Sequence, residues 1–201
     1  MYIYIFFFMN NNKIFKDFAN LLINLIPKFI KDVLIIHNEL ILIINNNDLK
    51  NVVFFLKNHS YTQYKILCDI TAVDYIDREE RFEVVYQLLS IVYGARIRLK
   101  VLLTENQAIE SISMIHPSAN WYEREVWDLF GIFFMNHPDL RRILTDYGFE
   151  GHPLKKDFPL TGYLEVRYDA SIKQVISEPV DITQEFRNFN FSSPWEIKTK
   201  N

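Results

Sequence analysis

Three histidines, His116, His137 and His152, lie in one C-terminal stretch with Asp139, Asp146 and Asp157, and these are side chains that a metal site would use. No two of the histidines have the i,i+4 spacing by which a helix offers a pair to one ion, and each precedes a proline, so each reads as part of a turn. Glu123 and Glu125 would supply paired carboxylates for acid and base work, but residues two apart on a helix point to different sides. Glu123 reads instead as the capping-box partner of Asn120, and Arg124 with Asp128 as an i,i+4 ion pair used in recognition. Cys68, beside Leu67 and near Ile70 in a strand pattern, reads as a buried small apolar residue, not a nucleophile.

As the single cysteine, it also excludes an internal disulfide, a four-cysteine zinc site and an iron–sulfur cluster held by about four thiolates. Neither common glycine-rich phosphate loop is present. The chain is thus expected to carry no cofactor of its own. Arg141, Arg142, Lys155 and Lys156 could grip a phosphate, yet Asp139, Asp146, Glu150 and Asp157 are interleaved with them, and mixed charge of this kind fits a protein interface. With 22 basic against 25 acidic residues, the net charge of −3 carries no electrostatic footprint of a nucleic-acid binder.

The elements that must position these residues follow from periodicity. Ile14, Phe15, Phe18, Leu21, Leu22 and Leu25 recur at helical spacing until Pro27. Val33 to Ile36 and Leu40 to Ile44 read as a hairpin turning at His37, Asn38 and Glu39, closed by Asn45 to Asn47. Asp48 then caps a helix with Leu49, Val52, Val53 and Leu56 on one side. Lys65 to Val73, Phe82 to Ile91 and Arg96 to Leu103 read as strands. The order α-β-β-α-β-β-β packs most simply as a two-layer α+β domain, one sheet covered by helices on one face. A short helix is expected over Ile109 to Ile115, and a well-punctuated one from Asn120 to the stop at Gly131.

From Ile132 onward, Pro138, Gly148, Gly151, Pro153, Pro159, Gly162, Pro179 and Pro194 interrupt every period. The expected division is an apolar, Asn-rich start (1–12), an α+β domain (13–131) and an extended, irregular partner-docking tail (132–201). Aromatics such as Phe149, Phe158, Tyr168, Phe186 and Trp195 run through the tail, and they need a surface larger than one small domain offers. The apolar run at residues 1–9 falls far short of the roughly 20 residues that span a bilayer as a helix. It lacks the cationic start and small-residue cleavage site of a signal peptide, and with Arg78 the first arginine it lacks the character of a transit peptide. The excess of Phe, Ile, Asn, Lys and Tyr points to an A/T-rich genome, organellar or parasitic, and if the chain works in a mitochondrial matrix, the absent import signal implies synthesis inside the organelle.

Glu123-Arg124-Glu125, Asp128-Leu129-Phe130-Gly131-Ile132, the run His137 to Leu144 and the run Asp146 to Tyr163 stand in one line. Together they resemble the signature block of the thirty-kilodalton subunit family of NADH:ubiquinone oxidoreductase (respiratory complex I). The likeness continues through Glu165-Val166-Arg167-Tyr168, Glu178-Pro179-Val180 and Gln184 to Arg187 to Pro194-Trp195-Glu196. Lys155 stands where an arginine is frequent in the family, which keeps the charge and loses the bidentate fork.

The resemblance implies a peripheral-arm subunit on the matrix side of the mitochondrial inner membrane, docked on the forty-nine-kilodalton subunit and other peripheral-arm subunits, and tied to the membrane only through the complex. It implies a structural and assembly role, with flavin and iron–sulfur clusters on other subunits. The matching subunit of a complex I relative, a plastid dehydrogenase or membrane-bound hydrogenase, is the alternative. Glu123, Arg124, Asp128, His137, Asp139, Arg141, Arg142, His152, Lys155, Lys156, Asp157, Arg167 and Trp195 are the expected partner-binding residues, and no catalytic residue is expected.

Overall fold

The computed structural model describes residues 11–37, 39–191, 193 and 195. The apolar start to residue 10, Asn38 of the first turn, Pro194 and Glu196 lie outside the described residues. The chain divides into two units, 1–158 and 159–201.

In the first unit the elements run α1 (Asn11–Leu25), β1 (Ile30–Ile36), β2 (Glu39–Ile44), α2 (Leu49–Asn58), β3 (Ile66–Asp74), β4 (Phe82–Ser90), β5 (Ala95–Leu103), β6 (Ile109–Glu110), α3 (Ala119–Phe130) and β7 (Phe134–Met135). This is the expected α+β order. Strands 1 to 5 form a mixed sheet of order β1-β2-β5-β4-β3, in which only β2 and β5 are parallel. Alternation decides which side is core: Ile97, Leu99, Val101 and Leu103 of β5 and Phe82, Val84, Tyr86 and Leu88 of β4 turn inward. They join Leu22 of α1 and Ile26 just after it, Leu49, Val52, Val53 and Leu56 of α2, and Val126 and Phe130 of α3 in one cluster. The opposite side carries charge pairs across the strands, Arg98–Glu39 at 2.6 Å and Lys100–Glu83 at 2.5 Å.

Several expectations are corrected. Ile109 to Ile115 is no helix: Ile109 and Glu110 pair in parallel with Phe134 and Met135, and turns follow. Ile109, Ile112 and Ile115 are all buried, so their threefold spacing reports burial in an irregular path. Cys68 is exposed, because the pairing of β3 with β4 shifts register between Leu67 and Asp69 and the irregularity turns it outward. Asp48 precedes α2, yet its side chain makes no capping hydrogen bond.

The boundary expected after Gly131 falls instead after Phe158. The backbone amides of Ile109 and Ser111 donate to the carbonyls of Phe133 and Met135, and that of Leu154 to Leu129 O at 3.0 Å, so residues 132–158 are stitched to the domain. Gly131 caps α3 in the left-handed region at φ 75, and a Cβ there would lie 2.6 Å from the His152 ring.

In the second unit a hairpin interrupts the expected irregular tail: β8 (Leu164–Asp169) pairs antiparallel with β9 (Gln174–Pro179), with Lys173 at φ 54 in its turn.

Candidate functional site

The signature residues gather around α3, and three polar knots account for most of them. At the first, Ser118 and not Asn120 stands at the N-cap of α3, which begins at Ala119, two residues earlier than expected, and Glu123 points into the core instead of back to its own N-terminus. Its carboxylate accepts the Ser111 hydroxyl at 2.5 Å and the Ile112 amide at 2.8 Å. His137, equally buried, approaches to 3.8 Å. Because His137 Nδ1 accepts the Asp139 amide, its Nε2 donates to Asn120 O at 3.1 Å. Burial pushes the Glu123 carboxyl up to about 7, against the opposing pull of Ser111 and Ile112.

Sign and window follow. The folded chain keeps the Glu123 proton between pH 4.5 and about 7, where the unfolded chain has lost it, so this group's contribution to stability falls through that window. His116, held down to about 4 by burial and Lys57, acts oppositely, its contribution rising from about pH 4 to 6.5. The two slopes offset in the wild type. Glu123→Gln can keep both hydrogen bonds, its amide donating to Ser111. The stability of this variant relative to wild type is expected to rise by about 3 kcal/mol between pH 4.5 and 7. Urea unfolding at a series of pH values measures the difference; a pH-independent one would show that Glu123 loses its proton at the same pH in the folded and the unfolded chain.

The second knot is Asp128, whose side chain is fully buried. Its Oδ2 accepts the amides of Ile143, Leu144 and Thr145 at 3.1, 2.8 and 2.9 Å, and Oδ1 accepts the Thr145 hydroxyl at 2.7 Å. Burial pushes this carboxyl up, but the Thr145 hydroxyl and the three amides together hold it below its ordinary value. Arg142 approaches Asp128 at 3.5 Å and donates to Gly151 O at 2.8 Å. The expected Arg124–Asp128 pair is therefore not made. Arg124 instead donates to the carbonyl of Arg141 at 3.1 Å and lies over the Trp121 ring. His152 Nδ1 donates to the Asp128 carbonyl at 2.9 Å and its ring meets Trp127 edge-on.

The third knot was not visible in the sequence. Asp74, fully buried at the end of β3, takes Arg81 Nε at 2.7 Å and Nη2 at 2.9 Å, plus the Lys156 amide at 2.8 Å. Arg81 reaches Asp157 at 2.6 Å and Glu105 at 3.2 Å, and Lys155 also pairs with Glu105. The Arg81 fork holds the Asp74 carboxyl below its ordinary value despite burial. Lys156 thus contributes its backbone here.

Of the expected contact residues, Glu123, Arg124, Asp128, His137, Arg142, His152, Lys155 and Asp157 are engaged by their own chain. Arg141 is open to solvent, its side chain 70% exposed, and among the described residues it forms an ion pair with Asp139 at 2.9 Å. In the second unit Arg167 forks onto Glu178 at 2.7 and 2.8 Å, and Trp195 is 89% exposed. Among the described residues no group of three or more His, Cys, Asp or Glu side chains is arranged to hold a metal ion. No described helix is long and apolar enough to cross a membrane.

Fold and site together define an α+β domain whose polar signature residues shape its own loops. The family described as "Respiratory-chain NADH dehydrogenase, 30 Kd subunit" matches residues 42–164, and this chain belongs to it. The chain is 52% identical to NADH-ubiquinone oxidoreductase subunit 9 of Reclinomonas americana over 92% of its own length and 91% of the relative's. It is also 52% identical to subunit 9 of Prototheca wickerhamii over 96% and 98%. To NADH dehydrogenase [ubiquinone] iron-sulfur protein 3 of Solanum tuberosum it is 60% identical over 77% and 82%.

Proposed function

We propose that the chain is a peripheral-arm subunit of the mitochondrial NADH:ubiquinone oxidoreductase, and that its part in the reaction is to build and hold the complex while other subunits carry the electrons. The observation that carries this reading is the match to subunit 9 over nearly the whole of both chains. Chemistry supports the non-catalytic role: one cysteine, Cys68, cannot furnish the roughly four thiolates of an iron–sulfur cluster, whatever name a relative bears. Flavin and clusters then belong to other subunits. The forty-nine-kilodalton subunit is the proposed principal partner, met on the matrix side of the inner membrane, and the codon-biased composition favours a mitochondrial gene.

Arg141 supplies the test. Its guanidinium is exposed, and Asp139 occupies it only at the surface, where such a pair contributes at most about 1 kcal/mol. Buried against a partner acceptor, the same group is worth about 2 kcal/mol or more, so Arg141→Ala should lower assembled complex by about thirtyfold. NADH turnover per flavin in the complex that does form should stay near normal. Native gels of membranes give abundance, and flavin-normalised oxidation gives turnover. Normal abundance with turnover cut by about tenfold would place Arg141 in electron transfer or quinone chemistry and defeat the scaffold role.

A further inference from the structure

The loop from Ile143 to Gly151 is held at both ends. Asp128 takes its first three amides, and Arg142 donates to Gly151 O at 2.8 Å, closing the entry onto the exit. Inside it, the Phe149 amide donates to Asp146 O at 3.1 Å with Gly148 at φ 72, and Asp146 Oδ1 accepts the Tyr147 amide at 2.8 Å. A turn so tied needs little further ordering when it meets a partner. Its tip faces water: Tyr147 is fully exposed at 103% and Leu144 is 60% exposed. Among the described residues the Tyr147 ring and hydroxyl have no partner, so this side chain adds nothing to the fold that holds it up. Asp146 and Glu150, both exposed, are the loop's only charged side chains.

On the assembly role proposed above, we infer that this loop is a preformed docking knob: Tyr147 enters an apolar pocket on a partner subunit whose rim carries lysine or arginine side chains facing Asp146 and Glu150. An aromatic ring brings large contact area with few torsions to freeze, which makes it a recurrent anchor of interfaces. The two carboxylates fix the sign of the partner's rim. They also turn the loop away from an anionic lipid surface, which attracts cations.

The full chain is expressed alongside the other subunits, and assembled complex is read on native gels. Tyr147→Ala, and separately Glu150→Lys, which leaves the bond from the Tyr147 amide to Asp146 in place, should each reduce assembled complex by about tenfold or more. Both variants, purified as the full chain, should melt within about 2 °C of wild type, since the altered side chains lie outside the core. Assembly of either variant within about twofold of wild type would overturn the knob, and so would a lowered melting temperature for Tyr147→Ala. A wild-type chain that migrates apart from any large complex would defeat the assembly role itself. Wild-type and Tyr147→Ala chains found equally in the complex would defeat the knob alone.

Discussion

Asp128→Ala should destabilise the first unit by about 3–5 kcal/mol, because it removes one acceptor shared by three amides and a hydroxyl. Each amide is partly buried, and water can replace the carboxylate at some of them, which keeps the loss below the sum of separate bonds. In a unit of this size the melting midpoint should fall by about 10 °C. Asp128→Asn is the sharper probe: it retains one acceptor oxygen and turns an amide group toward donors, so it should lose about half as much. Wild-type stability from this group is present above pH 3.8 and lost as pH falls through its lowered folded value, a slope both variants should lack. Hydrogen exchange at Ile143, Leu144 and Thr145 should quicken first, since these amides lose their acceptor. An Asp128→Ala chain within about 1 kcal/mol of wild type would mean that the loop is held by something other than this carboxylate. The consequence reaches the surface, because Tyr147 rides on the same loop: adding Tyr147→Ala to Asp128→Ala should lower assembly no further.

Local pattern made the first layer of this fold legible. The stripe Leu49, Val52, Val53 and Leu56, the stop at Pro27 and the alternation of β5 depend only on near neighbours in sequence, and helices and strands formed where they predicted. Glu123 shows where such reading fails. Asn120 and Glu123 have capping-box spacing, but with the helix starting at Ala119 the glutamate turns inward, and its partner Ser111 lies 12 residues back on a segment that β7 fixes. The β8–β9 hairpin was available in principle, since Leu164, Val166 and Tyr168 alternate with charged residues. The surrounding glycines and prolines masked that period.

The misplaced boundary has the same origin. Prolines and glycines correctly excluded regular elements between Met135 and Leu164, but irregular backbone can still belong to a core when buried carboxylates accept its amides. Asp128 does this across 15 to 17 residues and Asp74 across 82, separations at which no local pattern survives. Signature residues such as Asp128 and Arg142 are engaged by their own chain. They shape the loops that Arg141 and Tyr147 present.

Arg81→Ala should be the other severe change, at about 3–5 kcal/mol, because it leaves a fully buried Asp74 carboxylate with the Lys156 amide as its remaining hydrogen-bond donor. Arg81→Lys keeps the charge yet loses the fork that meets both carboxylate oxygens, so it should recover only part of that loss. The test is a double-mutant cycle. With Asp74→Ala also present no charge is stranded, so Arg81→Ala should cost about 2–3 kcal/mol less in that background than in wild type. Asp157 and Glu105, each about half exposed, remain solvated when Arg81 is lost and should add little. Residues 155–157 should loosen in Arg81→Ala, seen as faster exchange of the Lys156 amide, while β4 and β5 keep their protection. Additive losses in the cycle would show that the two side chains act independently, and that the anchoring of residues 155–157 to the sheet lies elsewhere.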